Sequence, residues 1–231
     1  GDMFIAIPGT QVDGHDYIHQ AIDSGASAII SNGRDVGDLS VPQIKVANPR
    51  RAASIVAAEY YGHPTKHLTV IGITGTNGKT TSASLLTSIL TQAGYKTAQL
   101  GTLGLNADGF DQQATLTTPD AISLQKTFSD LRDADFSHIV MEVSSHALDQ
   151  YRVADVDFNV AVFTNLTPEH LDYHATLESY YQAKLRLFTM LPLESTAVIN
   201  ESDPFGPRMA DKSNAPVISF SKGNGNSIHF T

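Results

Sequence analysis

The chain has 231 residues, 41% of them hydrophobic, with a formal net charge of −9 and no cysteine. That length and apolar content suffice for two modest cores, the acidic balance argues against a nucleic-acid surface, and the lack of cysteine removes any disulfide framework and fits a cytoplasmic protein. No apolar run approaches the length of a membrane span, so the partners to expect are small molecules held by local features, with neither nucleic acid nor membrane among them, and the chain is expected to be a monomer.

The sequence begins without an initiator methionine and ends on Ser227 to Thr231, which read as the start of a strand. It is therefore expected to be a piece of a longer protein. Phe4 to Ile7 predict a buried strand that Pro8-Gly9 turns into the polar loop Thr10-Gln11-Val12-Asp13-Gly14. A helix with Tyr17, Ile18, Ala21 and Ile22 on one face stops at Gly25, and Ala28 to Ile30 and Val41 to Val46 are the next strands. Asn48 then caps a helix that has Pro49 in its first turn and Ala53, Val56, Ala57 and Tyr60 directed inward. This defines a small α/β unit over residues 1–66, with Gly62 to His67 as the linker.

From residue 67 to 231 strands and helices alternate, which predicts a parallel sheet with helices on both faces. Strands are expected at Thr69–Ile73, Thr97–Gly101, Ser137–Val143, Val160–Thr164, Ala197–Asn200 and Val217–Phe220. Helices are expected at Thr80–Ala93, Ala121–Asp133 and Ser179–Leu191, the first with Leu85, Leu86, Ile89, Leu90 and Ala93 on one face.

Ligands collect at the carboxyl ends of the strands in such sheets. The first strand of the second unit runs into Gly75-Thr76-Asn77-Gly78-Lys79-Thr80-Thr81, a phosphate-binding loop shortened from the usual spacing, because Ile73 stands where the first glycine would be. Its backbone N–H groups and the helix N-terminus suit a polyphosphate, Lys79 would reach the β- and γ-phosphates, and the Thr80 hydroxyl would ligate Mg²⁺. Glu142, delivered by the apolar run Ile139-Val140-Met141, is either a solvated strand-end carboxylate or a Mg²⁺ ligand, and beside a phosphate loop the metal role is preferred. Thr164 to His174 carries His170-Leu171-Asp172-Tyr173-His174, where one histidine near phosphate or Mg²⁺ fits better than a zinc site. Lys184, by spacing alone, sits on the solvated face of an amphipathic helix.

The shortened loop, Thr117-Thr118-Pro119 and Glu142-Val143-Ser144-Ser145-His146-Ala147-Leu148 together resemble the Mur ligases, ATP-dependent amide-forming enzymes of peptidoglycan precursor synthesis. The similarity is greatest to the member that adds the third stem-peptide residue to UDP-N-acetylmuramoyl-L-alanyl-D-glutamate. That resemblance implies that residues 1–66 are a UDP-binding α/β domain and residues 67–231 part of a P-loop ATPase domain. It places Thr10, Gln11 and Val12 along the uridine, and Thr117, Thr118, Ser144, Gln150 and Arg152 around the muramoyl-dipeptide. It further implies that Thr80, Glu142 and His170 serve Mg²⁺, that Lys184 is carbamylated, that Lys79, His170 and Lys184 are catalytic, and that a free amino acid, lysine or meso-diaminopimelate, is the second substrate. The family usually has aspartate where Glu169 stands, which leaves the reach of that carboxylate open. A nucleotide kinase, a GTPase, a folylpolyglutamate-type ligase and a non-catalytic nucleotide-binding module are the rival readings. The absence of an Asn-Lys-x-Asp guanine motif weakens the GTPase.

Overall fold

The structure, a computed structural model, describes residues 1–9 and 12–221 and the backbone of 227–230. Three short parallel strands open it: β1 (Met3–Ile5), β2 (Ala28–Ser31) and β3 (Gln43–Lys45). Between β1 and β2 a 3₁₀ turn, Gly14–Tyr17, leads into α1 (Ile18–Asp23). Ile18 is buried against Ala6 and Ile29, whereas Tyr17 belongs to the turn and is exposed. Helix α2 (Pro49–Tyr60) starts as its sequence dictates, with Asn48 accepting the Arg51 N–H and Pro49 in the first turn, where its missing donor costs nothing. Tyr60, expected inward, is exposed, and Ser54 and Ala58 complete the buried stripe instead.

The eight-stranded sheet has the order β11-β10-β9-β8-β4-β7-β5-β6. Its members are β4 (Thr69–Thr74), β5 (Thr97–Gly101), β6 (Gly104–Asn106), β7 (His138–Glu142), β8 (Val160–Phe163), β9 (Thr196–Asn200), β10 (Val217–Ser221) and β11 (Ser227–Phe230). The two edge strands, β6 and β11, run antiparallel to their neighbours and all other pairs are parallel. The helices are α3 (Lys79–Gln92), α4 (Ala121–Asp133), α5 (Ser145–Asp149), α6 (Leu171–His174), α7 (Leu177–Thr189) and α8 (Gly206–Lys212).

Helices do lie on both faces, but unevenly, and the strand order explains why. The β4 to β5 connection moves toward the β6 edge, whereas the parallel connections from β5 to β7, β8, β9 and β10 all move the other way. Right-handed crossovers therefore put α3 on one face and the later helices on the other. Val70, Ile139, Met141 and Phe163 pack with Leu124, Phe128 and Phe188 on the crowded face. On the opposite face Ile71, Ile73 and Val140 meet Ala83 of α3, flanked by half-buried Leu86 and Leu90. Leu85 and Ile89, expected to face inward, are exposed, because the stripe that meets the sheet runs through positions 83, 86 and 90.

The stretch expected to be a linker, Gly62 to His67, is ordered and packed. Pro64–His67 form a 3₁₀ turn with Pro64 and Thr65 buried, and Thr65 Oγ1 donates to Asp157 Oδ2 at 2.8 Å. Helix α2 lies against α4, and Arg51 grips Asp155 with both terminal nitrogens. The first α/β unit is thus held to the second by buried and ionic contacts.

Candidate active site at the carboxyl ends of β4, β5, β7 and β8

The chain leaves β4 toward one edge of the sheet and β8 toward the other, so a crevice opens above these adjacent strands. The turn after β4 fills it. Gly75 (φ +149°) has space for no side chain, since a Cβ would stand 1.9 Å from Thr164 Oγ1. The loop is pinned to the end of β8 on both sides: Thr76 N–H donates to the Asn165 carbonyl (2.8 Å), and Thr164 Oγ1 and Asn165 Nδ2 donate to the Asn77 carbonyl (2.7 and 3.0 Å). Gly78, in the left-handed region at φ +85°, turns the chain into α3, whose N-terminus no side chain caps. The first-turn N–H groups and the helix dipole are left for an anion. Thr81 is exposed in that first turn.

Two lysines converge on this loop. Lys79 Nζ donates to the carbonyls of Gly75 (2.9 Å) and Thr76 (2.8 Å), and Lys184 Nζ donates to the same Gly75 carbonyl at 2.9 Å. Burial lowers the Lys79 pKa, against the opposing charges of Glu142 and Glu169. Lys184, which helix spacing alone would put on a solvated face, is 1% exposed and lies 4.4 Å from the Tyr180 ring centroid. Burial, then the neighbouring Lys79, pull its pKa from the ordinary 10.5 to about 7. Tyr180 Oη in turn meets Thr76 Oγ1 at 3.3 Å, so one buried tyrosine touches both the loop and the amine.

The parallel register sets Glu142 beside Ile73 on one side, and beside the end of β5 on the other, where Leu100 pairs with Met141. Its carboxylate is fully buried and accepts three donors: Thr80 Oγ1 at 3.0 Å, Thr102 N–H at 2.9 Å and Thr102 Oγ1 at 3.2 Å. Gly101 makes the room, because a Cβ there would lie 2.2 Å from Glu142 Oε1. The pairing of a hydroxyl with a carboxylate supplies hard oxygen donors of the kind Mg²⁺ takes. Among the described residues no cluster of three His, Asp or Glu side chains accompanies it, so such an ion would complete its shell from phosphate oxygens and water.

Next to Glu142 the residues expected around the muramoyl-dipeptide come together. Thr117 Oγ1 is 3.2 Å from Thr102 Oγ1, while Thr118 Oγ1 donates to the Glu142 carbonyl (3.0 Å) and accepts the Ser144 N–H (3.1 Å). Arg152 donates to the Thr118 carbonyl (2.9 Å) and to Gln150 Oε1 (2.7 Å). His170 is half-exposed beside Glu169 (3.8 Å) and packs edge-on to His146, with ring centroids 4.9 Å apart. Of the expected metal set, Thr80 and Glu142 are in direct contact, Lys184 reaches the Gly75 carbonyl of the same loop, and His170 lies beside Glu169. His174 is buried, with Nε2 2.9 Å from Ser145 Oγ. Thr10 and Gln11 lie outside the described residues, and Val12 is exposed. Sequence reasoning missed Thr102, although it directly follows β5 and the rule about strand ends points to it, and it gave Asn165 no role although that residue lies in the segment singled out after β8.

A glycine turn between a central parallel strand and a helix, with a buried strand-end carboxylate on the first-turn threonine, defines a P-loop-type α/β fold. The chain belongs to the Mur ligase family: residues 73–231 match the Mur ligase middle domain, and residues 1–61 match a second family model described as "Mur ligase family, catalytic domain". It is 45% identical to a UDP-N-acetylmuramoyl-L-alanyl-D-glutamate--2,6-diaminopimelate ligase of Geobacter metallireducens, over 95% of this chain and 44% of that protein. It is 43% identical to the Clostridium botulinum protein of the same name, over 95% of this chain and 46% of that one. A solved structure described by that name is similar with a TM-score of 0.80 and 29% identity, over 98% of this chain and 47% of the other. The chain thus spans less than half the length of these relatives.

Proposed function

We propose that this chain carries the sugar-nucleotide and ATP sites of an ATP-dependent amide ligase that adds the third amino acid to UDP-N-acetylmuramoyl-L-alanyl-D-glutamate. Residues 1–66 take the uridine end, and residues 67–231 take ATP and the muramoyl-dipeptide. The names of the relatives favour diaminopimelate over lysine as the incoming amino acid. The observation that carries the reading is Glu142: one buried carboxylate touches the phosphate-loop Thr80, while its own backbone carbonyl accepts from Thr118 in the segment assigned to the dipeptide. Phosphoryl donor and acceptor carboxylate would thereby meet at the end of β7.

Amide formation from a carboxylate requires one of its oxygens to become a leaving group. Attack of the substrate carboxylate oxygen on the γ-phosphorus of ATP forms the C–O–P link of an acyl phosphate and releases ADP. The amine then attacks the acyl carbon and expels inorganic phosphate with that oxygen. Mg²⁺ bound beside Thr80 and Glu142 would neutralise charge on the transferred group. Lys79 would leave the Gly75 and Thr76 carbonyls for the phosphates, a point charge at the place where negative charge grows. With its pKa near 7, much of Lys184 is neutral amine at cellular pH and is open to CO₂. Addition gives a carbamate and a proton, which replaces a group that would repel a cation when protonated with an anion that would attract one. Glu169, half-exposed beside His170, is near enough for its charge to act on both Lys79 and Lys184.

The test uses the ligase of full family length that carries this chain. Phosphate release from ATP is expected only with UDP-muramoyl-dipeptide and an amino acid together, and faster with meso-diaminopimelate than with lysine. Release without the sugar nucleotide would indicate a kinase or simple ATPase and remove this reading. Carbon-13 bicarbonate should add one carbamate resonance, absent from Lys184→Ala.

A further inference from the structure

Of the seven arginines in the sequence, five pair with carboxylates: Arg34, Arg51, Arg132, Arg186 and Arg208. The remaining two, Arg50 and Arg152, meet. Arg50 Nη1 donates to Gln150 Oε1 at 3.3 Å, and Arg152 donates to the same oxygen through Nε at 3.2 Å and Nη2 at 2.7 Å. Two guanidinium groups thus share one neutral acceptor, and among the described residues neither has a carboxylate within ion-pair distance. Asp120 is near enough to act on Arg152, but its oxygens are taken by Ile122 N–H, Ser123 N–H and Ser123 Oγ at the cap of α4. Burial, then the charge of Arg50, lower the Arg152 pKa. Half-buried like charges this close raise the free energy of the empty site, and an anion between them would relieve it.

The placement gives the pair a role. Arg50 comes from α2, and its Nη2 donates to the Pro8 carbonyl at 2.8 Å, just before the loop at residues 10–12. Arg152 is anchored on the Thr118 carbonyl at 2.9 Å. We propose that Arg50 and Arg152 form a two-guanidinium site for one anionic group of the sugar-nucleotide substrate, with Arg50 as a specificity residue supplied by the first α/β unit. The proposal rests on the function given above and adds a residue that the family resemblance did not point to. The occupant is a carboxylate of the dipeptide or the diphosphate, both of which a planar fork binds bidentately.

The experiment measures KM and kcat in the ligase of full family length for Arg50→Gln, Arg50→Lys and Arg51→Gln. Arg50→Gln should raise KM for UDP-muramoyl-dipeptide roughly 10- to 100-fold, the value of one lost hydrogen-bonded charge, with KM for ATP unchanged. Arg50→Lys should fall between it and the parent. Arg51→Gln cuts only the neighbouring Asp155 pair and should leave KM unchanged. An analogue with the D-glutamyl α-carboxylate amidated separates the sources. If the carboxylate is the occupant, Arg50→Gln costs nothing further with the amide; if the diphosphate is, the loss persists and also weakens binding of UDP alone. Calorimetric titration with UDP and with an N-acyl-L-alanyl-D-glutamate reads the same site without turnover, so an inactive parent enzyme would overturn the function while still testing the anion site. An Arg50→Gln variant within twofold of the parent for every ligand, or a loss equal to that of Arg51→Gln, would overturn the proposal.

Discussion

Lys184→Met tests the buried amine through stability alone. In the folded chain the Lys184 pKa is about 7 against an ordinary 10.5. At pH 6 both states are protonated, and the folded state carries the full cost of a buried ammonium, about 5 kcal/mol at about 1.36 kcal/mol per pH unit. As the pH rises from 7 toward 10.5 the unfolded state holds the extra proton, so stability rises with pH. The remaining cost is about 3 kcal/mol at pH 8 and below about 1 kcal/mol at pH 10. Methionine removes that cost and forfeits the hydrogen bond to the Gly75 carbonyl, about 1 kcal/mol. That carbonyl keeps Lys79 as a donor. The variant should therefore be more stable than the parent by about 4 kcal/mol at pH 6, about 2 at pH 8 and about nothing at pH 10. Urea unfolding at these pH values, in CO₂-free buffer so that no carbamate replaces the amine, reads the difference directly. Lys79 and the buried tyrosines titrate in both proteins and largely cancel. A difference independent of pH, or a variant less stable at pH 6, would refute the placement of a strained amine beside the loop.

Gly101→Ala should drive its Cβ into Glu142 and break at least one of the three donor contacts to that carboxylate. The expected result is a stability loss of roughly 2–4 kcal/mol and weaker Mg²⁺-dependent nucleotide binding, read by urea melts and calorimetry; wild-type values for both would count against the cradle. Lys79→Ala should abolish ATP turnover in the full-length ligase while the circular dichroism and melting curve of the chain stay close to those of the parent. Arg51→Ala, which loses a half-exposed pair with Asp155, should cost only about 1 kcal/mol in a urea melt. A loss several times larger would mean that α2 depends on that contact far more than its exposure suggests.

Elements with strong local signals were legible in the sequence. Asn48-Pro49 fixes the start of α2, and the apolar runs before Gly75 and Glu142 mark β4 and β7. The short elements β6, α5, α6 and α8 were missed because three to seven residues hold too little periodicity to register. The inward face of α3 was misjudged because Leu85 and Ile89 look as apolar as Leu86 and Leu90, and only the sheet decides which pair it covers. The phosphate loop and Glu142 followed from residue type and position at strand ends. Lys184 did not: an amine on an amphipathic helix is ordinarily solvated, and nothing in its neighbours announces a carbonyl of a loop more than a hundred residues away. Arg50 was hidden for the same reason, since its partners at Pro8 and Gln150 come together only through tertiary packing.

The central claim is that the nucleotide loop and Glu142 deliver a phosphoryl group to a substrate carboxylate. Oxygen-18 placed in the D-glutamyl side-chain carboxylate of UDP-muramoyl-dipeptide, followed by mass analysis of the phosphate released during ligation by the full-length enzyme, tests it most directly. An acyl phosphate requires one labelled oxygen in each inorganic phosphate formed with amide product. Amide product accompanied by unlabelled phosphate, or label appearing in AMP, would contradict it.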